Sequence, residues 1–139
     1  AGSSFEPLAK LSAKVKGEVK YHIMHARTWV EKLGQGSEES HARMQTVLTN
    51  SFNYALGIFE TGEDEQRLID DKIFAGEEAL KSQWLQSIEP VLTRAGLVIP
   101  DSATWNPVFG GRKGYHTEHL QPLLLEMQEV FQIDPKAEW

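Results

Sequence analysis

Apolar residues recur at intervals of three or four along most of the chain, which is the spacing of amphipathic α-helices. Pro7 suits the first turn of a helix, Gly34 the position just past a helix end, and Ser37 an N-cap. The sequence therefore predicts a single all-α domain, 1–139. Its helices are expected at about 7–33, 37–59, 77–95 and 117–131.

The core-facing positions differ in character between the first two predicted helices. In the second helix they form a largely apolar row at His41, Met44, Leu48, Phe52, Ala55 and Phe59. In the first helix the row is apolar at both ends and polar in the middle, at Leu8, Leu11, Val15, Glu18, His22, His25 and Trp29. Charge in a buried face is costly unless it is paired or ligated, so this polar middle is a candidate site.

Two segments interrupt the helical pattern. Residues 61–71 are acidic and weakly periodic, and we interpret them as a linker with one helical turn near Leu68. Residues 97–114 hold prolines and glycines and predict a long loop, a kind of segment that is often functional in compact domains. Pro90, inside the third helix, predicts a kink or a local break.

Two clusters of carboxylates and imidazoles could bind a metal. Glu18, His22 and His25 lie on successive turns of one helix face, as the ligands of a di-metal bundle do, and a hydrogen-bonded polar layer is the alternative. The diagnostic Glu-x-x-His is absent there, because Tyr21 stands three residues after Glu18. The one literal match, Glu38-x-x-His41, lies beside the expected N-cap and is interpreted as surface.

The second cluster comprises His116, Glu118 and His119 at the expected start of the fourth helix. These side chains could ligate a metal or move protons, or they could hydrogen-bond to neighbouring helices. Across a bundle from Glu18 and His22, they would complete one polar cluster.

A basic loop precedes this second cluster, at Gly110, Gly111, Arg112, Lys113 and Gly114. Flexible backbone and two cations ahead of a helix could receive a phosphate or a carboxylate, or contact a partner. The loop is not a P-loop, because the preceding strand and the following Ser or Thr are both absent. An ordinary solvated loop is the alternative.

Composition narrows the function classes. The chain has 139 residues and no cysteine, so thiolate metal sites, disulfides and cysteine nucleophiles are excluded. A formal net charge of -6 argues against nucleic-acid binding. The sequence holds neither a long apolar run nor an export signal, so we expect a soluble, cytoplasmic protein without a membrane anchor.

Several short strings occur in order along the chain and resemble a known family. They are Glu18-x-x-Tyr21-His22, Trp29 to Gly36, Met44-Gln45, Gly110 to Leu120, Leu125 to Gln128, and the terminal Trp139. Together they resemble the C subunits of multicomponent phenylacetyl-CoA oxygenases, also called ring-1,2-phenylacetyl-CoA epoxidases. Thr61 to Gly76 matches least.

The resemblance implies a ferritin-like helical bundle that has lost its di-iron centre and supports a catalytic A subunit that keeps one. The assembled enzyme would take electrons from NADPH through a reductase and epoxidise the ring of phenylacetyl-CoA with dioxygen. This chain is then a non-catalytic structural subunit in aerobic phenylacetate degradation, with no cofactor of its own. In this interpretation Glu18, His22, His25, His116, Glu118 and His119 form a metal-free polar core network.

Members of the family are much longer, and the resemblance covers the C-terminal part of such a subunit. The N-terminal helices of the family would therefore be missing, and a half-bundle would expose a large apolar face. We expect that the chain is a piece of a longer subunit, or that a second copy or a partner completes the bundle. Two other functions stay open: a carboxylate-bridged di-metal oxidoreductase in its own right, and a generic helical interaction module.

Overall fold

The structure is a computed structural model that describes residues 2–136. The terminal Trp139, one of the residues behind the family resemblance, lies outside the described residues. The described chain forms five α-helices: α1 (Glu6–Gly34), α2 (Glu38–Gly57), α3 (Glu65–Asp70), α4 (Glu77–Arg94) and α5 (Leu120–Ile133). Residues 2–136 contain no β-strand, which confirms the all-α prediction and is consistent with a ferritin-like bundle.

The described chain divides into two compact units after Val108. In the first unit, α1 contacts both α2 and α4. Its core gathers Leu92, Ala95 and Leu97, against which Val30 and Met44 pack. A second, aromatic group surrounds the buried Phe52, whose ring centroid lies 5.9 Å from that of Trp84 and 5.4 Å from that of Trp105.

The inner face of α2 follows the predicted spacing. None of the six predicted positions is exposed, and Phe52 retains 2% of its accessible surface. At the end of α1, a Cβ on Gly34 would lie 2.5 Å from the carbonyl oxygen of Ala95. Gly34 is the last residue of α1, and the absence of a side chain there allows the end of α1 to approach the end of α4 closely.

Helices α3 and α4 end in the same hydrogen-bond pattern. The N–H of Ile73 donates to the carbonyl of Leu68 at 2.9 Å, and the N–H of Leu97 donates to that of Leu92 at 2.9 Å. The residue before each donor has a left-handed backbone: Lys72 with φ 58° and Gly96 with φ 72°. Both ends are Schellman motifs, and α3 closes its motif without the usual glycine.

Two helices differ from the sequence-based expectation. Helix α4 continues through Pro90 without the local break that the sequence suggested. Helix α5 begins at Leu120 rather than near Thr117, which puts Pro122 in its first turn. A first-turn N–H has no acceptor inside the helix, so the proline costs no hydrogen bond there. None of the helices described is long and apolar enough to span a membrane.

Candidate functional site

Helix α1 presents most of its surface to solvent. Of its 29 residues, Gly34 alone is buried. Large apolar side chains are exposed along it, among them Leu11 at 56%, Val19 at 49% and Ile23 at 47%. A long helix stabilised by packing would bury an apolar stripe, so this one displays a surface suited to another polypeptide.

Glu18, His22 and His25 lie on α1 and are exposed. The ring of His25 stacks on that of Tyr21, with centroids 6.3 Å apart, and meets the ring of Trp29 edge-on at 6.3 Å. These are contacts between neighbouring turns of one helix. In this chain the three side chains therefore form an exposed polar and aromatic row, and their burial in a core network stays a prediction for the assembled protein.

His116, Glu118 and His119 lie in the second unit and are also exposed. His119 precedes α5, and its backbone carbonyl accepts a hydrogen bond from the N–H of Leu123 at 3.3 Å. Its side chain makes no capping hydrogen bond among the described residues. Their membership of a polar core network likewise stays a prediction.

The donor set does not fit a di-iron centre of the ferritin-like type. Such a centre takes Glu-x-x-His pairs projecting inward from two helices. In this chain the pattern occurs at Glu38 and His41, and the His41 ring is engaged elsewhere, because its Nδ1 lies 2.7 Å from the carbonyl oxygen of Gly34. Within residues 2–136, no three His, Asp or Glu side chains are grouped so that they could hold a metal ion.

His41 corrects the prediction that the Glu38-x-x-His41 segment is surface. Glu38 is exposed, whereas His41 is half-buried. A carbonyl can only accept, so Nδ1 of His41 carries a hydrogen and donates it to the Gly34 carbonyl, one of those left unpaired at the end of α1. His41 therefore fastens the connection between α1 and α2.

The basic loop folds into a short 3₁₀ turn, Gly111–Lys113, between two left-handed glycines. Gly110 has φ 108° and Gly114 has φ 84°, values that favour glycine at both positions. The carbonyl of Gly110 accepts hydrogen bonds from the N–H groups of Lys113 at 2.9 Å and Tyr115 at 3.0 Å. The turn is well defined, and the side chains of Arg112 and Lys113 are exposed at its tip.

A groove of about 450 Å³ lies between α1 and α4. Arg27 lines it on the α1 side, and Gln83 and Ser87 line it on the α4 side. The remaining lining is apolar: Ile23, Ala26, Val30, Trp84, Ile88, Val91 and Leu92. Because this groove adjoins the exposed face of α1, the two make one continuous candidate docking surface.

The family model for the phenylacetic acid catabolic protein matches residues 1–139 of the chain. The chain belongs to this family. It is 32% identical over 132 residues to the C subunit of the 1,2-phenylacetyl-CoA epoxidase of Escherichia coli (strain K12), covering 95% of this chain and 52% of that protein. The chain thus spans about half the length of the relative. The resemblance in the sequence is confirmed.

Sequence reasoning missed the residues that hold the 97–108 loop of this family member on α2. The side chain of Gln45 bonds both backbone groups of Val98, donating to its oxygen at 2.9 Å and accepting from its N–H at 2.8 Å. Asn53 accepts from the N–H of Asn106 through its side chain at 2.9 Å. The sequence offers one signal for them: the predicted second helix carries side-chain amides, and the predicted loop has backbone groups that need hydrogen-bond partners.

Proposed function

We propose that this chain is a non-catalytic structural subunit of a multicomponent phenylacetyl-CoA monooxygenase. It serves aerobic phenylacetate degradation in the cytoplasm and docks on the catalytic A subunit, which holds the di-iron centre. Electrons reach that centre from NADPH through a reductase subunit. The proposal extends to this chain what the name of the Escherichia coli relative says, a subunit of an epoxidase.

The observation that carries the proposal is the exposed apolar face of α1. Side chains such as Leu11, Val19 and Ile23 stay about half exposed in a helix of 29 residues. Contiguous exposed apolar surface of this kind marks protein interaction sites in soluble proteins. The similarity of the chain to the C subunit of the Escherichia coli epoxidase supports the same interpretation.

A non-catalytic role is supported by the chemistry of the available donors. Glu18 is followed by Tyr21 where a di-iron helix would carry histidine, and His41 is committed to the end of α1. Arg112 and Lys113 offer a second means of docking, since exposed cations on a 3₁₀ turn can contact the phosphates of CoA or an acidic partner.

Co-expression with a catalytic A subunit tests the proposal. The tagged chain should retain the A subunit on an affinity column, whereas a tagged unrelated helical protein should not. Supplied with the reductase subunit, NADPH and dioxygen, the reconstituted complex should epoxidise phenylacetyl-CoA, and the chain alone should neither turn over nor contain stoichiometric iron. Failure to retain the A subunit would refute docking, and iron at one or more atoms per chain would refute the non-catalytic role.

A further inference from the structure

Helix α1 is electropositive in an otherwise acidic chain. Its six Lys and Arg side chains against three Glu give it a net charge of +3, whereas the whole chain has -6. The apolar face of α1 therefore lies in a positive local environment. A partner for this face is selected by charge as well as by apolar contact.

Three of the six cations of α1 lie along one edge of the docking surface. Lys16, Lys20 and Arg27 are spaced by four and seven residues, which aligns them on one side of the helix next to Ile23. Ile23 and Arg27 also line the groove between α1 and α4. Lys20 and Lys16 thus extend the rim of the groove toward the N-terminal end of α1.

These three cations lack carboxylate partners among the described residues. The ion pairs found within residues 2–136 involve other cations, such as Lys10 with Glu6 at 2.7 Å and Arg94 with Glu31 at 2.8 Å. An apolar groove rimmed by unpaired cations presents complementary charge to a carboxylate-bearing partner, because opposite charges across an interface steer encounter and fix register.

We propose that the groove between α1 and α4, with its rim of Lys16, Lys20 and Arg27, docks an amphipathic helix that has an apolar stripe and acidic flanks. This rests on the proposed function, since it assumes that another polypeptide covers α1. A second copy of α1 is a poor occupant, because its own net charge of +3 would face the same charge. A groove lined on both sides by side chains one helical turn apart suits a helix laid along it.

The test uses two synthetic peptides of about 20 residues, roughly 30 Å of helix. Both carry leucine on one face, and their flanks carry glutamate in one peptide and lysine in the other. Binding is followed by fluorescence anisotropy at low salt. We expect the chain to bind the acidic peptide about tenfold more tightly than the basic peptide, a preference that falls as salt is raised.

Charge-reversal variants show which residues produce the preference for the acidic peptide. Lys16→Glu with Lys20→Glu should invert the preference between the two peptides, because glutamate keeps the helix and changes the sign of the rim. Arg43→Glu with Arg67→Glu is the control for net charge: it changes the charge equally, on α2 and α3, and should leave the preference intact, although it also breaks the ion pairs of Arg43 with Glu39 and of Arg67 with Asp64. Far-UV circular dichroism checks that both variants stay helical.

Three results would overturn the inference: equal or absent binding of the two peptides, a control variant that inverts the preference, or a dimer whose α1 surfaces cover each other in sedimentation and cross-linking. Retention of the A subunit by the Lys16→Glu, Lys20→Glu variant would show that the A subunit docks by another surface. The proposed function would then stand while the inference fails.

Discussion

Lys72 holds the left-handed position that closes α3, with φ 58°. A side chain in this conformation crowds the following carbonyl, and glycine avoids that crowding. Lys72→Gly should therefore raise the free energy of unfolding by about 0.5–1 kcal/mol. Part of this gain is offset, because glycine also gives the unfolded chain more conformational entropy. Urea denaturation measures the change.

Two variants isolate the backbone effect at Lys72. Lys72→Ala removes the amino group and keeps the strained φ, so it should not stabilise. Gly96→Ala introduces the same strain at the end of α4, where φ is 72° and a Cβ would lie 3.4 Å from His41 Cε1, and should cost about 1 kcal/mol. Stabilisation by Lys72→Ala equal to that by Lys72→Gly would contradict the explanation.

Two glycines have structural roles that the sequence pattern does not reveal. Gly34 looks like a helix stop in the sequence, yet the structure uses its missing Cβ to admit Ala95. Gly57 has no visible sequence reason, and in the structure a Cβ there would collide with the carbonyl oxygen of Val108. Both requirements come from contacts between distant segments, and spacing along one helix carries no information about them.

The 97–108 loop depends on side-chain amides of α2. Gln45 pairs with Val98 through two hydrogen bonds. Gln45→Ala should lower the free energy of unfolding by about 1 kcal/mol, which is small for two lost hydrogen bonds. The loss is small because Val98 is exposed and water can replace the amide. Amide hydrogen exchange at Val98 should speed up accordingly.

Gln66→Ala is a fitting control for Gln45→Ala. Gln66 is a helical glutamine whose side chain donates to Asp70 within α3, with no bond to the loop. Its replacement should leave exchange at Val98 unchanged. Unaltered exchange in Gln45→Ala itself would mean that other contacts, such as Asn53 with Asn106, suffice to hold the loop.

At the level of elements, periodicity sufficed for the all-α class and for most of the inner face of α2: the predicted row includes the buried Phe52 but not the buried Leu56. For residues 61–71 the sequence indicated one helical turn near Leu68, and the structure has α3 there. That helix is short and acidic, and its Glu65 accepts a hydrogen bond from the N–H of Glu77 at 2.9 Å, capping α4 across a loop. A cap supplied by a residue 12 positions away in the sequence produces no periodic pattern of apolar residues.

Helix α1 combines six of the chain's 14 Lys and Arg side chains with exposed apolar surface. The net charge of -6 argues against a nucleic-acid surface, although α1 by itself has a net charge of +3. The family resemblance was readable from short strings such as Gly110 to Leu120. The roles of Glu18 and His22, by contrast, depend on what lies against α1, which the amino-acid order of one chain leaves open.

Exposed apolar residues on α1 should contribute to assembly and little to the stability of the chain alone. Leu11 and Val15 are 56% and 37% exposed, so Leu11→Gln with Val15→Gln should change the free energy of unfolding by about 0.5 kcal/mol or less. The same pair should weaken retention of the A subunit by about tenfold or more, because each lost apolar contact in a desolvated interface costs about 1 kcal/mol.

Val47→Gln with Tyr54→Gln is the control for this pair. These side chains on α2 are 60% and 52% exposed, so they lose a comparable apolar surface away from α1. If the free face of α1 is the interface, this control should bind the A subunit like the unaltered chain in titration calorimetry. If instead Leu11→Gln with Val15→Gln destabilises the isolated chain as Phe52→Ala should, by about 3–5 kcal/mol, then α1 is held by its own chain and not by a partner.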